Sequence, residues 1–155
     1  MELDRIDRML IEALQKDARL SNKELAAKVG LAPSSTLGRV RRLTEHGVLR
    51  GAHLDVDPAA LGIGLQAFVV IRLGHHSRET VQAFHAHLRE LPEVVASWYV
   101  GGIDDFLVHV AVRDTRHLQD LLMDSITIRD EVSLVRTEIV FEHHRRQVLP
   151  AWVGD

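Results

Sequence analysis

The chain has 155 residues, 46% of them hydrophobic and 26% charged, with no cysteine and a formal net charge of −3. That hydrophobic share supports packed cores and excludes a disordered chain, and the lack of cysteine excludes disulfides and thiolate metal sites. No run approaches the ~20 apolar residues of a membrane helix, and MELDRIDRML has no signal-peptide apolar stretch, so a cytoplasmic protein is expected.

The acidic balance alone argues against a nucleic-acid partner, but the charge is unevenly spread. Residues 1–60 carry ten Lys and Arg against nine Asp and Glu, whereas residues 61–155 carry nine against thirteen. Between Ser34 and Arg50 there are four arginines and one glutamate. A patch this modest implies that any affinity for a nucleic acid would depend on dimerisation, which doubles the phosphate contacts.

A first helix is predicted from Asp4 to Lys16, with Asp4 as N-cap and Leu3, Ile6, Leu10 and Leu14 at spacings of three and four. Ser21 and Glu24 form a capping box, so a second helix begins at Asn22. It buries Leu25, Ala26 and Val29 and stops at Gly30, where a left-handed residue is commonly needed. After the turn, a third helix runs from Ser34 with Leu37, Val40 and Leu43 inward. Its other faces carry Ser34, Ser35, Thr36, Arg39, Arg41 and Arg42, and Arg50 follows. Hydroxyls at a helix start and arginines along it suit phosphates and base edges, so the segment reads as a helix-turn-helix that binds double-stranded DNA. The plainer reading is a solvated basic face on a bundle helix.

Val48-Leu49-Arg50 and Ala52-His53-Leu54 suggest a short wing or linker strand, and Asp57-Pro58 breaks regular structure. Residues 1–52 are therefore assigned to a winged helix-turn-helix domain, 53–64 to a linker strand, and 65–155 to a second domain. In that domain, strands are predicted over Leu65 to Leu73, Val94 to Val100, Phe106 to Val112 and Val132 to Phe141, and helices over Ser77 to Leu91 and Thr115 to about Ile126. The order βαββαβ defines a ferredoxin-like sandwich with an antiparallel sheet, and the whole chain an α+β protein. Two helices cover one sheet face. The other is apolar enough to predict a homo-oligomer that packs sheet against sheet.

Two signatures resemble the Lrp/AsnC, or feast/famine, transcriptional regulators. The first is the N-terminal capping box with the Arg39-Val40 pair and the closing Gly47-Val48. The second is the hairpin turn Gly102-Ile103-Asp104-Asp105-Phe106-Leu107, similar to the family's G-x-x-D-aromatic-Leu pattern. The resemblance implies a dimer, assembled further into tetramers or octamers, that binds DNA near promoters and responds to a small amino-acid effector. The effector would sit against Gly101, Gly102, Ile103, Asp104 and Asp105, with Thr137 of the last strand helping to line the site. Two glycines admit a ligand to the backbone, and Asp104 or Asp105 could pair an ammonium; Gly and Asp also dominate tight turns for backbone reasons alone. The family turn often has an acidic residue where this chain has Ile103 and an aromatic where it has Asp104, which bears on the effector's identity.

Ten histidines raise the question of a metal, but His85 and His87 point about 200° apart on a helix and adjacent strand residues face opposite ways, so no metal site is assigned. No phosphate-cradling loop, nucleophile elbow or H-E-x-x-H is present, so an enzyme is not expected and no cofactor besides the amino acid is assigned. A ligand-sensing interaction module, or a DNA-organising protein without amino-acid response, is the alternative.

Overall fold

In the computed structural model, which describes residues 1–144, 146 and 148–152, the chain divides into two compact units. One is Met1–Asp55 with the segment that begins at His144, and the other is Val56–His143.

The first unit contains α1 (Arg5–Lys16), α2 (Asn22–Val29) and α3 (Pro33–Glu45). Asp4 caps α1 and completes a capping box with Asp7; Ser21 and Glu24 do the same for α2. Gly30, at φ 70°, ends α2 in the left-handed region that glycine enters without a Cβ clash. Leu10, Leu25, Val29 and Leu43 form the core. In α3 the inward positions are Thr36, Val40 and Leu43, and Leu37 is 39% exposed, so the buried stripe starts one residue earlier than its spacing suggested. Thr36 fits because its hydroxyl donates to the Ala32 carbonyl at 3.2 Å.

The strand expected within residues 53–64 is not formed. Residues 50–57 have no regular structure and a 3-10 turn, Pro58–Leu61, follows. The segment has no ladder partner among the described residues, and backbone pairing is what defines a strand. The boundary expected at the C-terminus also moves, because the segment from His144 clusters with the first unit, where the Leu149 N–H donates to Gln15 Oε1 at 2.9 Å.

The second unit runs β1 (Leu65–Leu73), α4 (Arg78–Glu90), β2 (Val94–Tyr99), β3 (Phe106–Val112), α5 (Thr115–Leu121, continued by a π-helical turn, Leu122–Ile126) and β4 (Val132–Ile139). The sheet order is β2-β3-β1-β4 with every pair antiparallel, the ferredoxin-like arrangement. Alternate residues of β1 and β3, including Val69, Ile71, Phe106 and Val108, pack against Phe84 and Leu88 of α4 and Leu118 and Leu121 of α5. The intervening residues Phe68, Val70, Leu107 and His109 face away from the helices, as strand alternation requires. Trp98, opposite Leu107, joins them and is 46% exposed.

Candidate functional site

The first candidate surface is the start of α3. Asn22 Nδ2 donates to the Pro33 carbonyl at 2.7 Å, bracing α2 against it. Ser34 and Ser35 are exposed on its first turn. The N-cap, Ala32, offers no side-chain hydrogen bond, so the first-turn N–H groups have no capping acceptor. A 13-residue helix presenting such groups beside hydroxyls can accept a phosphate or approach base edges.

The arginines behave differently from one another. Arg39 is ion-paired with Asp4, and its Nη1 lies 2.8 Å from Asp7 Oδ1. Arg42 Nη2 lies 2.7 Å from Asp7 Oδ2. Asp7 is fully buried, so two of the three arginines on α3 serve as counter-ions to a carboxylate held inside the unit. The hydrogen bond from the Asp7 N–H, then that from Arg39, lowers the Asp4 pKa, and Asp4 followed by Asp7 raises that of Arg39. Arg39, expected nearest the base edges, is thus turned toward α1. Thr36, expected beside it, is buried. Arg41 and Arg50 are exposed and have no ion-pair partner among the described residues. The helix-turn-helix motif gives no role to Asp7, although its spacing carries a signal: it shares the apolar stripe of Leu10 and Leu14 at i+3 and i+7, and a carboxylate on such a stripe requires partners.

The second candidate surface is the turn from Val100 to Asp105. Gly101 and Gly102 are open to solvent, and Gly102 sits at φ 141°, where an L side chain is strained even though space is available. Ile103 is 78% exposed. The two aspartates point back into the domain. The buried carboxylate of Asp105 accepts the Leu73 N–H at 2.8 Å and lies 3.0 Å from His76 Nε2. The Asp105 N–H donates to the Ile71 carbonyl at 2.9 Å. Asp105 therefore fastens the turn to the end of β1. Asp104 sits between Arg72, at 3.2 Å, and Arg136, at 3.1 Å. These arginines were absent from the expected site, although an arginine within the apolar run LQAFVVIRL is the kind of residue that marks one.

Thr137 pairs with Val69 on the helix-covered face, whereas Arg136, paired with Val70, takes Asp104 to the opposite face. One chain therefore does not bring Thr137 and Asp104 together. An open groove of about 400 Å³ lies elsewhere, lined by residues of α4 and β2 that include His85, Arg89 and Ser97, and contains none of the turn residues. The histidines have separate partners: His85 Nε2 is 3.1 Å from Ser97 Oγ, His87 Nε2 is 2.7 Å from the Ser125 carbonyl, and His117 Nε2 is 3.0 Å from Glu93. Among the described residues no three metal-ligating side chains converge, and no helix is long and apolar enough to cross a membrane.

A helix-turn-helix unit with an uncapped second helix, joined to a ferredoxin-like domain with an open glycine turn, defines a DNA-binding regulator that carries a ligand domain. The family model described as winged helix-turn-helix DNA-binding matches residues 3–50, and that of the Lrp/AsnC ligand binding domain matches residues 66–149. The chain belongs to the Lrp/AsnC family of transcriptional regulators. It is 44% identical over 144 residues to the HTH-type transcriptional regulator AldR of Mycolicibacterium smegmatis, covering 93% of this chain and 84% of that one. Among solved structures it resembles the AsnC protein of Escherichia coli, with 30% identity, TM-score 0.85 and coverage of 96% and 99%. It also resembles a transcriptional regulator of Neisseria meningitidis in complex with L-Met, with 27% identity, TM-score 0.88 and coverage of 96% of each chain.

Proposed function

We propose that this chain is an amino-acid-responsive, oligomeric transcriptional regulator of the cytoplasm, without catalytic activity. The observation that carries the DNA half is the first turn of α3, where exposed Ser34 and Ser35 flank uncapped N–H groups. In this reading α3 enters the major groove with those serines nearest the base edges, and Arg41 and Arg50 meet phosphates. Arg39 and Arg42 shape the reader from within.

The effector half rests on the turn. Gly101, Gly102 and Ile103 present backbone and apolar surface, Asp104 lies alongside on a charged sheet edge, and the N. meningitidis relative is named for a complex with L-Met. Copies pair through the sheet face that carries Phe68, Val70, Leu107 and Trp98. Since Thr137 and Asp104 lie on opposite faces of one sheet, Thr137 reaches an effector at the turn only from a second copy. Effector binding at a boundary between copies would shift how they pack, and hence the affinity for paired half-sites, which is the differential contact that allostery needs.

Fluorescence anisotropy on a duplex from the protein's own upstream region, against a shuffled duplex, with and without a pool of the twenty amino acids, tests both halves. Preference for the upstream duplex that changes with the pool supports the reading. Equal, weak, pool-independent binding to both duplexes rejects it.

A further inference from the structure

Strand β2 is one edge of the sheet, since it pairs with β3 alone, and β4 is the other. The two edges are built differently. β4 (VSLVRTEI) carries Arg136 and Glu138, charges of the kind that keep an edge from pairing with foreign strands, whereas β2 (VVASWY) has neither a charge nor a proline. Its irregularity falls between Val94 and Ala96, and from Ala96 to Tyr99 the register with β3 is regular. The Val100 N–H donates to the Asp105 carbonyl at 2.8 Å. By the alternation of an antiparallel ladder, the backbone groups of Ser97 and Tyr99 therefore point away from β3 and out of the sheet edge. Beside that edge lies the open groove between α4 and β2. Its helical wall presents His85 and Arg89, about one turn apart on the same face, and its lining residues include no carboxylate. His85 Nε2 lies 3.1 Å from Ser97 Oγ, whereas Arg89 is exposed and has no ion-pair partner among the described residues. Val95, 60% exposed, gives the groove an apolar end.

We infer that this groove receives an extended, acidic segment of another protein, which adds to β2 as a further strand and sets a carboxylate against Arg89. The outward backbone groups of Ser97 and Tyr99 begin the new ladder, and the groove takes alternate side chains of the guest. The charge preference comes from the wall: a guanidinium with free donors fits a carboxylate in forked geometry, and no acidic lining residue competes for it. A second copy is the poorer guest. Two β2 edges paired about a twofold axis would put both α4 helices on one side of the joined sheet, with His85 and Arg89 of each copy lining a shared groove, basic wall against basic wall. An added strand widens the sheet and covers neither of its faces, so the surface that carries Phe68 and Val70 stays free for pairing between copies.

The test is fluorescence anisotropy of labelled, capped hexapeptides titrated with the full chain. One peptide alternates valine with glutamate, a second alternates valine with lysine, and a third is the glutamate peptide with all its backbone amides N-methylated. The glutamate peptide should bind about tenfold more tightly than the lysine peptide, the effect of one charge-assisted hydrogen bond, and the methylated peptide should not bind. Arg89→Glu, at an exposed helix position, should reverse the preference between glutamate and lysine. Ser97→Pro removes an outward N–H without removing a bond of the β2–β3 ladder and should weaken both peptides alike; if it does not fold, Arg89→Glu still decides. Equal affinity for the two charged peptides, an unchanged preference in Arg89→Glu, full binding of the methylated peptide, or no binding of any peptide to the wild-type chain would each overturn the inference. A folded Ser97→Pro that sediments as a lighter assembly than wild type would make a second copy the guest and overturn it as well.

Discussion

Asp7, buried at the first turn of α1, holds Arg42 of α3 at 2.7 Å through one oxygen and Arg39 at 2.8 Å through the other. This carboxylate ties α1 to α3 at two points on adjacent turns. Asp7→Ala removes both charged hydrogen bonds, but the arginines are partly exposed and can turn to water. The expected loss is therefore about 2–3 kcal/mol, less than for a wholly buried pair. Urea unfolding followed by a probe in the first unit measures it, and an unchanged midpoint would remove Asp7 from the account of how α3 is held.

The same geometry separates the arginines held by Asp4 and Asp7 from Arg41 and Arg50, which are proposed to meet DNA. Arg41→Ala and Arg50→Ala should each flatten the dependence of log affinity on log salt by about one unit for every phosphate the arginine neutralises, without altering stability. Arg39→Ala should lower stability and leave the salt slope nearer to wild type. Anisotropy titrations at four salt concentrations decide between these patterns. A slope change confined to Arg39→Ala would reverse the assignment.

Acid should loosen the helix starts first. Asp4, Glu24 and Asp114 all have pKa values below the ordinary carboxylate range: the Asp7 N–H and then Arg39 act on Asp4, the Ser21 hydroxyl and N–H on Glu24, and chiefly the His117 N–H on Asp114. A lowered folded pKa gives stability that is present above the unfolded value, 3.8 for Asp and 4.5 for Glu, and is lost as pH falls through the folded one. His109 also has a lowered pKa, through burial and then the charge of His143. For a histidine the unfolded state then binds more protons, so stability drops as pH falls below 6.5. His109→Gln should flatten the stability profile just below pH 6.5 and leave the acid limb below pH 4.5 in place, as read by thermal melts across pH. A profile unchanged by His109→Gln would assign the slope to other groups.

Much of this architecture could be read from the sequence because its signals are local. Ser21, Glu24 and Gly30 bracket α2, and the alternation of Phe106, Val108 and Val110 fixes β3, without reference to anything distant. What escaped was set by tertiary packing. The phase of α3 depends on surroundings that admit a threonine at position 36 and leave Leu37 outside. The roles of Arg39 and Arg42 depend on a carboxylate more than thirty residues away. The charged trio of the candidate site joins a strand, a turn and another strand, and only the sheet register makes Arg72, Asp104 and Arg136 neighbours. The glycine turn itself was legible; the direction of its two aspartates was not.

The uncovered sheet face gives the sharpest test of assembly. Trp98 stands on it half exposed, its ring 6.4 Å from that of Phe68, and neither belongs to the core beneath the helices. Burying the exposed part of one such indole removes roughly 100 Å² of apolar surface from water, worth about 2–3 kcal/mol, and a twofold interface counts it twice. Trp98→Glu should therefore weaken dimerisation by about three orders of magnitude, since each 1.4 kcal/mol is tenfold. The helix-side core is left intact. Met123→Glu, an exposed position on the π-helical turn that ends α5, is the control and should leave the mass unchanged. Sedimentation velocity at micromolar concentration reads both. Trp98→Glu sedimenting like wild type would mean that copies meet elsewhere, whereas a lighter species that keeps its wild-type circular dichroism would place the interface on this face.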